Sequence, residues 1–120
     1  MIRYTKCVFY FAGATQHEAV QFCKRYLEAF EGWTLQEAIG GWKGETEPSW
    51  ILTIILPTDT PAHIAQNWLL MPATENSVET EARTIAENLT LEFEQEAVAY
   101  ELTPVQFALT TSQARYKRNG

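Results

Sequence analysis

His17 stands beside Glu18 at the start of a predicted helix, and His63 follows shortly after Asp59, so each imidazole has a carboxylate close to it in sequence. A His–carboxylate couple is the usual core of general-base chemistry, but it needs a nucleophile or an acidic substrate proton within reach. No nucleophile is placed beside either couple. A solvated side chain is the simpler account of both histidines. With no Cys-x-x-Cys and no His-x-x-x-His spacing, no metal is expected, and no motif calls for a cofactor.

Gly40, Gly41 and Gly44 surround Lys43, a composition that could cradle phosphate. A phosphate loop, however, needs Gly-x-x-x-x-Gly-Lys-Ser/Thr between a strand and a helix, and here the glycines lead into another strand. Glu45 and Glu47 would also repel an anion, so a hairpin turn is the better reading. Aromatic residues are the remaining chemical signal. Tyr4, Tyr10, Trp42, Trp50 and Trp68 are the candidates for contacting a ligand or a partner surface, as flat amphipathic rings do. The Lys/Arg-Gly-Phe/Tyr pattern of RNA-stacking sheets is missing. Cys7 and Cys23 fall on faces assigned to the core and read as buried free thiols, not as a disulfide.

The elements that must position these residues follow from periodicity. Arg3 to Phe11 and Ser49 to Leu56 are apolar on both alternating faces, which marks strands that need cover on two sides. Between them, Thr15 and Glu18 form a capping box, and Ala19, Phe22, Cys23, Tyr26, Leu27 and Phe30 recur at helical spacing up to Gly32. Trp33 to Trp42 predicts an outer strand, and the glycine-rich stretch to Pro48 a loose turn. Thr58 to Ala73 reads as a short helix or lid. Asn76 with Glu79 caps a second long helix carrying Val78, Ala82, Ile85, Ala86, Leu89 and Phe93 on one face. A last strand runs from Ala97 to Leu102 and ends near Pro104, with Val105, Phe107 and Leu109 as a brief edge extension.

The resulting order is βαββαβ. The fold class is therefore α+β, a ferredoxin-like split βαβ arrangement with a four-stranded antiparallel sheet, helices on one face and a short extra helix before the second main one. In that arrangement the first and third strands are central, which agrees with their double-faced hydrophobicity. Residues 1–110 are expected to form one domain and residues 111–120 a basic, disordered tail. Tyr4, Val8 and Tyr10 are expected on the face away from the helices if Cys7, Phe9 and Phe11 point inward. Beside them would lie either Ile51 and Ile55 or Trp50, Leu52 and Ile54; periodicity alone leaves both open.

The net charge is −6, and between Glu75 and Glu101 eight glutamates stand against the single Arg83. Such a field repels nucleic acid. No apolar run approaches a membrane span and no signal peptide is evident, so a cytoplasmic protein without membrane or nucleic-acid partners is expected.

Tyr10-Phe11-Ala12-Gly13, Gly40-Gly41-Trp42-Lys43-Gly44 and Gln95-Glu96-Ala97-Val98 occur in this order along the chain. In these it resembles a small bacterial domain family of unknown function, with a Gly-x-Trp-x-Gly hairpin and a closing Gln-Glu-Ser/Ala-Val. The Thr58 to Ala73 segment departs from that pattern, as does the lack of the leader peptide many members have. The resemblance implies a fold and no activity.

Three functions fit the residues. The first is a non-enzymatic binding module, homodimeric through the open sheet face, that recognises a protein partner or a small apolar ligand. The second is a dimeric α+β barrel enzyme of isomerase or cofactor-free oxygenase type, with His17, His63, Tyr10, Glu37 and Trp42 as candidate polar groups in an apolar cavity. The third is an acidic mobile-element inhibitor of a nucleic-acid-handling protein.

Overall fold

The computed structural model describes residues 3–30, 32–58 and 77–108. The elements are β1 (Tyr4–Ala12), α1 (Gln16–Tyr26), β2 (Thr34–Trp42), β3 (Glu45–Pro57), α2 (Ser77–Glu92) and β4 (Ala99–Val105). All neighbouring strands are antiparallel, in the order β2-β3-β1-β4, so the two doubly apolar strands are central as their sequences require. The result is an α+β fold with a four-stranded antiparallel sheet and, among the described residues, two helices, an arrangement that fits a ferredoxin-like fold. The short helix expected near Thr58 to Ala73 lies outside the described residues, apart from Thr58.

Register settles which face of β1 points inward. Cys7 lies opposite Ile54, Phe9 opposite Leu52 and Phe11 opposite Trp50, and all six are buried. Onto this face α1 lays Ala19, Phe22, Cys23 and Leu27, and α2 lays Val78, Ala82, Ile85, Ala86 and Leu89, forming one core cluster. The capping box is formed in full: Thr15 Oγ1 accepts from the Glu18 amide at 3.1 Å, and Glu18 Oε1 accepts from the Thr15 amide at 2.8 Å.

Four boundaries differ from the sequence expectation. Helix α1 stops at Tyr26, with Leu27 as its cap, although the apolar periodicity runs on to Phe30. Phe30 and Trp33 still pack against the core after the turn, so a folded-back segment imitates another helical turn. The loose turn is instead a tight one, because Lys43 and Gly44 both take positive φ (51° and 82°), the signature of a two-residue hairpin. Strand β3 consequently begins at Glu45 and passes through Pro48, which lies beyond the last β1 partner, Ser49, where only β2 is alongside. Strand β4 likewise starts two residues late, at Ala99, and contains Pro104 instead of ending before it. It is an edge strand, where a missing N–H disrupts no central ladder.

Candidate functional site

The sheet face opposite the helices is formed by alternate residues. From β1 come Tyr4, Lys6, Val8 and Tyr10, and in register beside them Ile51, Thr53 and Ile55 from β3 and Glu101, Thr103 and Val105 from β4. No element among the described residues covers this face. Ile51 and Ile55 are half-buried, while Tyr10 keeps 40% of its surface exposed. The Tyr10 hydroxyl donates to Glu101 Oε1 at 2.5 Å, a contact that pushes the phenol above its ordinary pKa, because ionisation would break the bond and set two anions together. At the far end Phe107 meets Tyr4 edge-on, with ring centroids 5.3 Å apart. Here Arg3, Tyr4, Thr58, Val105 and Phe107 line an open cleft of about 830 Å³.

Tyr4 and Tyr10 thus lie on the face away from the helices, the placement that is conditional on Cys7, Phe9 and Phe11 pointing inward. Trp50 does not. It is buried on the helix face, and its indole N–H donates to the Ala14 carbonyl at 2.9 Å, so both its surface and its one donor are used by the core. Of the two alternatives for β3, Ile51 and Ile55 are the pair on the open face. His17 sits exposed in the first turn of α1, and Trp42 stands at the hairpin end, 54% exposed. His63 and Trp68 lie outside the described residues. Among the described residues no cluster of His, Cys, Asp or Glu is placed to hold a metal ion.

Both cysteines are buried and held protonated. Burial pushes Cys23 up to about 12, and burial together with nearby Glu81 pushes Cys7 up to about 11. Neither thiol presents a thiolate at neutral pH, the form nucleophilic chemistry requires.

A second constellation lies at the end of the sheet where β1 stops and the β2–β3 hairpin runs on. Gln95, in the α2–β4 loop, accepts from the Ala12 amide at 3.0 Å and donates to the Phe93 carbonyl at 3.0 Å. Its neighbour Glu96 reaches the hairpin tip, where Lys43 Nζ donates to Oε1 at 2.7 Å and the Trp42 indole donates to Oε2 at 3.3 Å. These two donors hold the Glu96 carboxyl below its ordinary pKa, the lysine contributing more. Lys43 also lies 5.8 Å from the Trp42 ring centre, within cation–π range. Ala12, Gly13, Trp42, Lys43, Gln95 and Glu96 come from three separate parts of the chain. Nothing in the chemistry of Gln95 and Glu96 singles them out in the sequence; their only signal was membership of the closing Gln-Glu-Ala-Val motif.

The fold and these two surfaces define a small α+β module with a sheet face that no element among the described residues covers and a hairpin fastened across one end. No protein-family model matches the chain, and no curated protein matches it. It is similar in structure to a DUF3240 family protein from Shewanella baltica OS155, at a TM-score of 0.55 and 16% identity over 93% of this chain and 100% of that one. It is also similar to CPII, a nitrogen regulatory PII-like protein from Thiomonas intermedia K12 bound to ADP, AMP and bicarbonate, at a TM-score of 0.52 and 13% identity over 91% and 97% of the two chains. Likenesses at this identity show the fold. The first is consistent with the resemblance to a small domain family of unknown function. No helix among the described residues is long and apolar enough to cross a membrane.

Proposed function

We propose that this chain is a non-enzymatic binding module of the cytoplasm that pairs with a second copy through its open sheet face. One domain, residues 1–110, does this work, and residues 111–120 follow it as a basic tail. The observation that carries the reading is the face itself: Tyr4, Val8, Tyr10, Ile51, Ile55 and Val105 share one face across three strands, interspersed with Lys6, Thr53, Glu101 and Thr103, and no element among the described residues covers it; of the six, Val8 is buried and the others are half-buried or exposed. A sheet face that mixes aromatic and aliphatic side chains with a few polar ones is ordinary material for a subunit interface. The central strands carry apolar residues on both faces, and pairing gives the second face the cover that the helices give the first.

A second reading, the dimeric barrel enzyme, draws support from the Tyr10–Glu101 hydrogen bond, which would become an enclosed polar pair between two such faces. The PII-like relative holds nucleotides and bicarbonate, so ADP, AMP and bicarbonate are the first ligands to offer the assembled module.

The test is solution mass by light scattering after size exclusion, across a dilution series. A dimer that Ile51→Asp converts to a folded monomer supports the reading. A native chain that is monomeric at every concentration overturns it.

A further inference from the structure

The hairpin end beyond β1 is independent of the open face, because Trp42, Lys43 and Glu96 belong to no part of the proposed dimer surface. Its two sides are built differently. The receiving side is rigid: Gln95 is fixed by the Ala12 amide and the Phe93 carbonyl, and its own amide donates to the Thr90 carbonyl at 2.9 Å. Gly13 packs closely against it, so that a side chain there would have to displace the Gln95 amide. Glu96 is therefore presented from an anchored loop. The arriving side is loosely attached. From Glu45 to Pro48, strand β3 has lost β1 as a neighbour and pairs with β2 alone, so the ribbon from Gly40 to Pro48 overhangs the sheet. Two adjacent glycines, Gly40 and Gly41, lie at the root of this overhang.

What joins the two sides is a single carboxylate, with one oxygen taken by Lys43 and the other by Trp42. Both partners of the ion pair are 65% exposed, and exposed ion pairs are weak. Lys43 is the only cation in residues 32–58, while Glu37, Glu45 and Glu47 from the same hairpin add negative charge near it in sequence, and Glu94 stands two residues before Glu96. The closed position thus rests on one cation held by one fixed anion, in an otherwise acidic setting.

We propose that the β2–β3 hairpin is a two-position arm clasped by Glu96, and that loss of the Glu96–Lys43 contact lets the overhang swing away from the α2–β4 loop without unfolding the sheet. Opening releases Trp42 and Lys43 together, an aromatic ring and an ammonium group side by side, from the Glu96 carboxylate.

The test is amide hydrogen exchange on the full chain, compared between the native protein and Glu96→Gln. Glu96→Gln should raise exchange of the amides of residues 41–47 on the order of two- to five-fold, the range expected for an exposed ion pair. Amides of β1 and α2 should not change, and trypsin should cut after Lys43 faster by a similar factor. Trp42→Phe, which keeps an aromatic ring but removes the indole N–H, should produce a smaller change in the same direction. Unchanged exchange in residues 41–47 overturns the proposal. So does an equal rise throughout the sheet, which would make Glu96 a general structural contact and not a clasp.

Discussion

Gly13 and Gln95 are packed so closely that a Cβ placed on Gly13 would stand 2.7 Å from Gln95 Nε2 and 3.2 Å from the Phe93 carbonyl oxygen. The glycine also has φ +78°, a left-handed conformation that side chains disfavour. Gly13→Ala is therefore expected to lose about 1–3 kcal/mol of stability, from backbone strain and from displacing Gln95. Gln95→Ala should lose about 1 kcal/mol through the unpaired Ala12 amide. Urea unfolding midpoints at constant slope measure both, and a neutral Gly13→Ala would contradict the close contact.

The core register makes a second prediction. Ile54 and Phe22 are each 1% exposed, one from the central strand and one from α1, and both belong to the same cluster. Ile54→Ala and Phe22→Ala should each cost about 2–5 kcal/mol. Ile55→Ala, one residue along β3 but on the open face, should cost clearly less in the monomer. A larger loss at Ile55 than at Ile54, measured in the monomeric Ile51→Asp background, would show that the strand faces are assigned the wrong way round.

Much of this architecture was legible in the sequence. The capping box at Thr15 and Glu18, the apolar stripe of α2 and the central position of β1 and β3 all follow from spacing, because these signals are local or concern burial alone. The inward face of β1 was not legible, since Cys7, Phe9 and Phe11 and their alternates Tyr4, Val8 and Tyr10 are both apolar enough to be buried. Only the cross-strand register separates them. Pro48 and Pro104 read as strand breakers because sequence does not reveal whether a strand has a neighbour on the side of the missing N–H. The end constellation was least visible. Lys43 adopting positive φ carries no strong residue signal, and Glu96 meets it across 53 positions only because the hairpin outruns β1.

The buried thiols should be inert. With Cys7 pushed up to about 11 and Cys23 up to about 12, neither is ionised at pH 8, and both are enclosed. Iodoacetamide should modify the native protein far more slowly than the same chain in denaturant. The sign of the pH effect follows. A raised folded pKa gives a contribution that is complete below the unfolded thiol value of 9.0 and is lost as pH rises toward about 11 to 12, so alkaline solutions destabilise the fold. Rapid labelling of native protein at pH 8 would show that the core opens around one of them.

Tyr10 and Glu96 should bracket the pH range of stability from opposite sides. The Tyr10 phenol is raised by its hydrogen bond to Glu101, so its contribution is complete below 10.0 and is lost as pH climbs through the raised value. The Glu96 carboxyl is lowered by Lys43 and Trp42, so its contribution is present above 4.5 and is lost as pH falls through the lowered value. Tyr10→Phe should flatten the alkaline limb and leave the acid limb intact, while Glu96→Gln should do the reverse. Both groups are exposed, so the effects are small and are best read as differences from the native protein in thermal midpoint against pH. A Tyr10→Phe variant whose alkaline limb matched the native one would mean that the phenol hydroxyl does not hold Glu101 in solution.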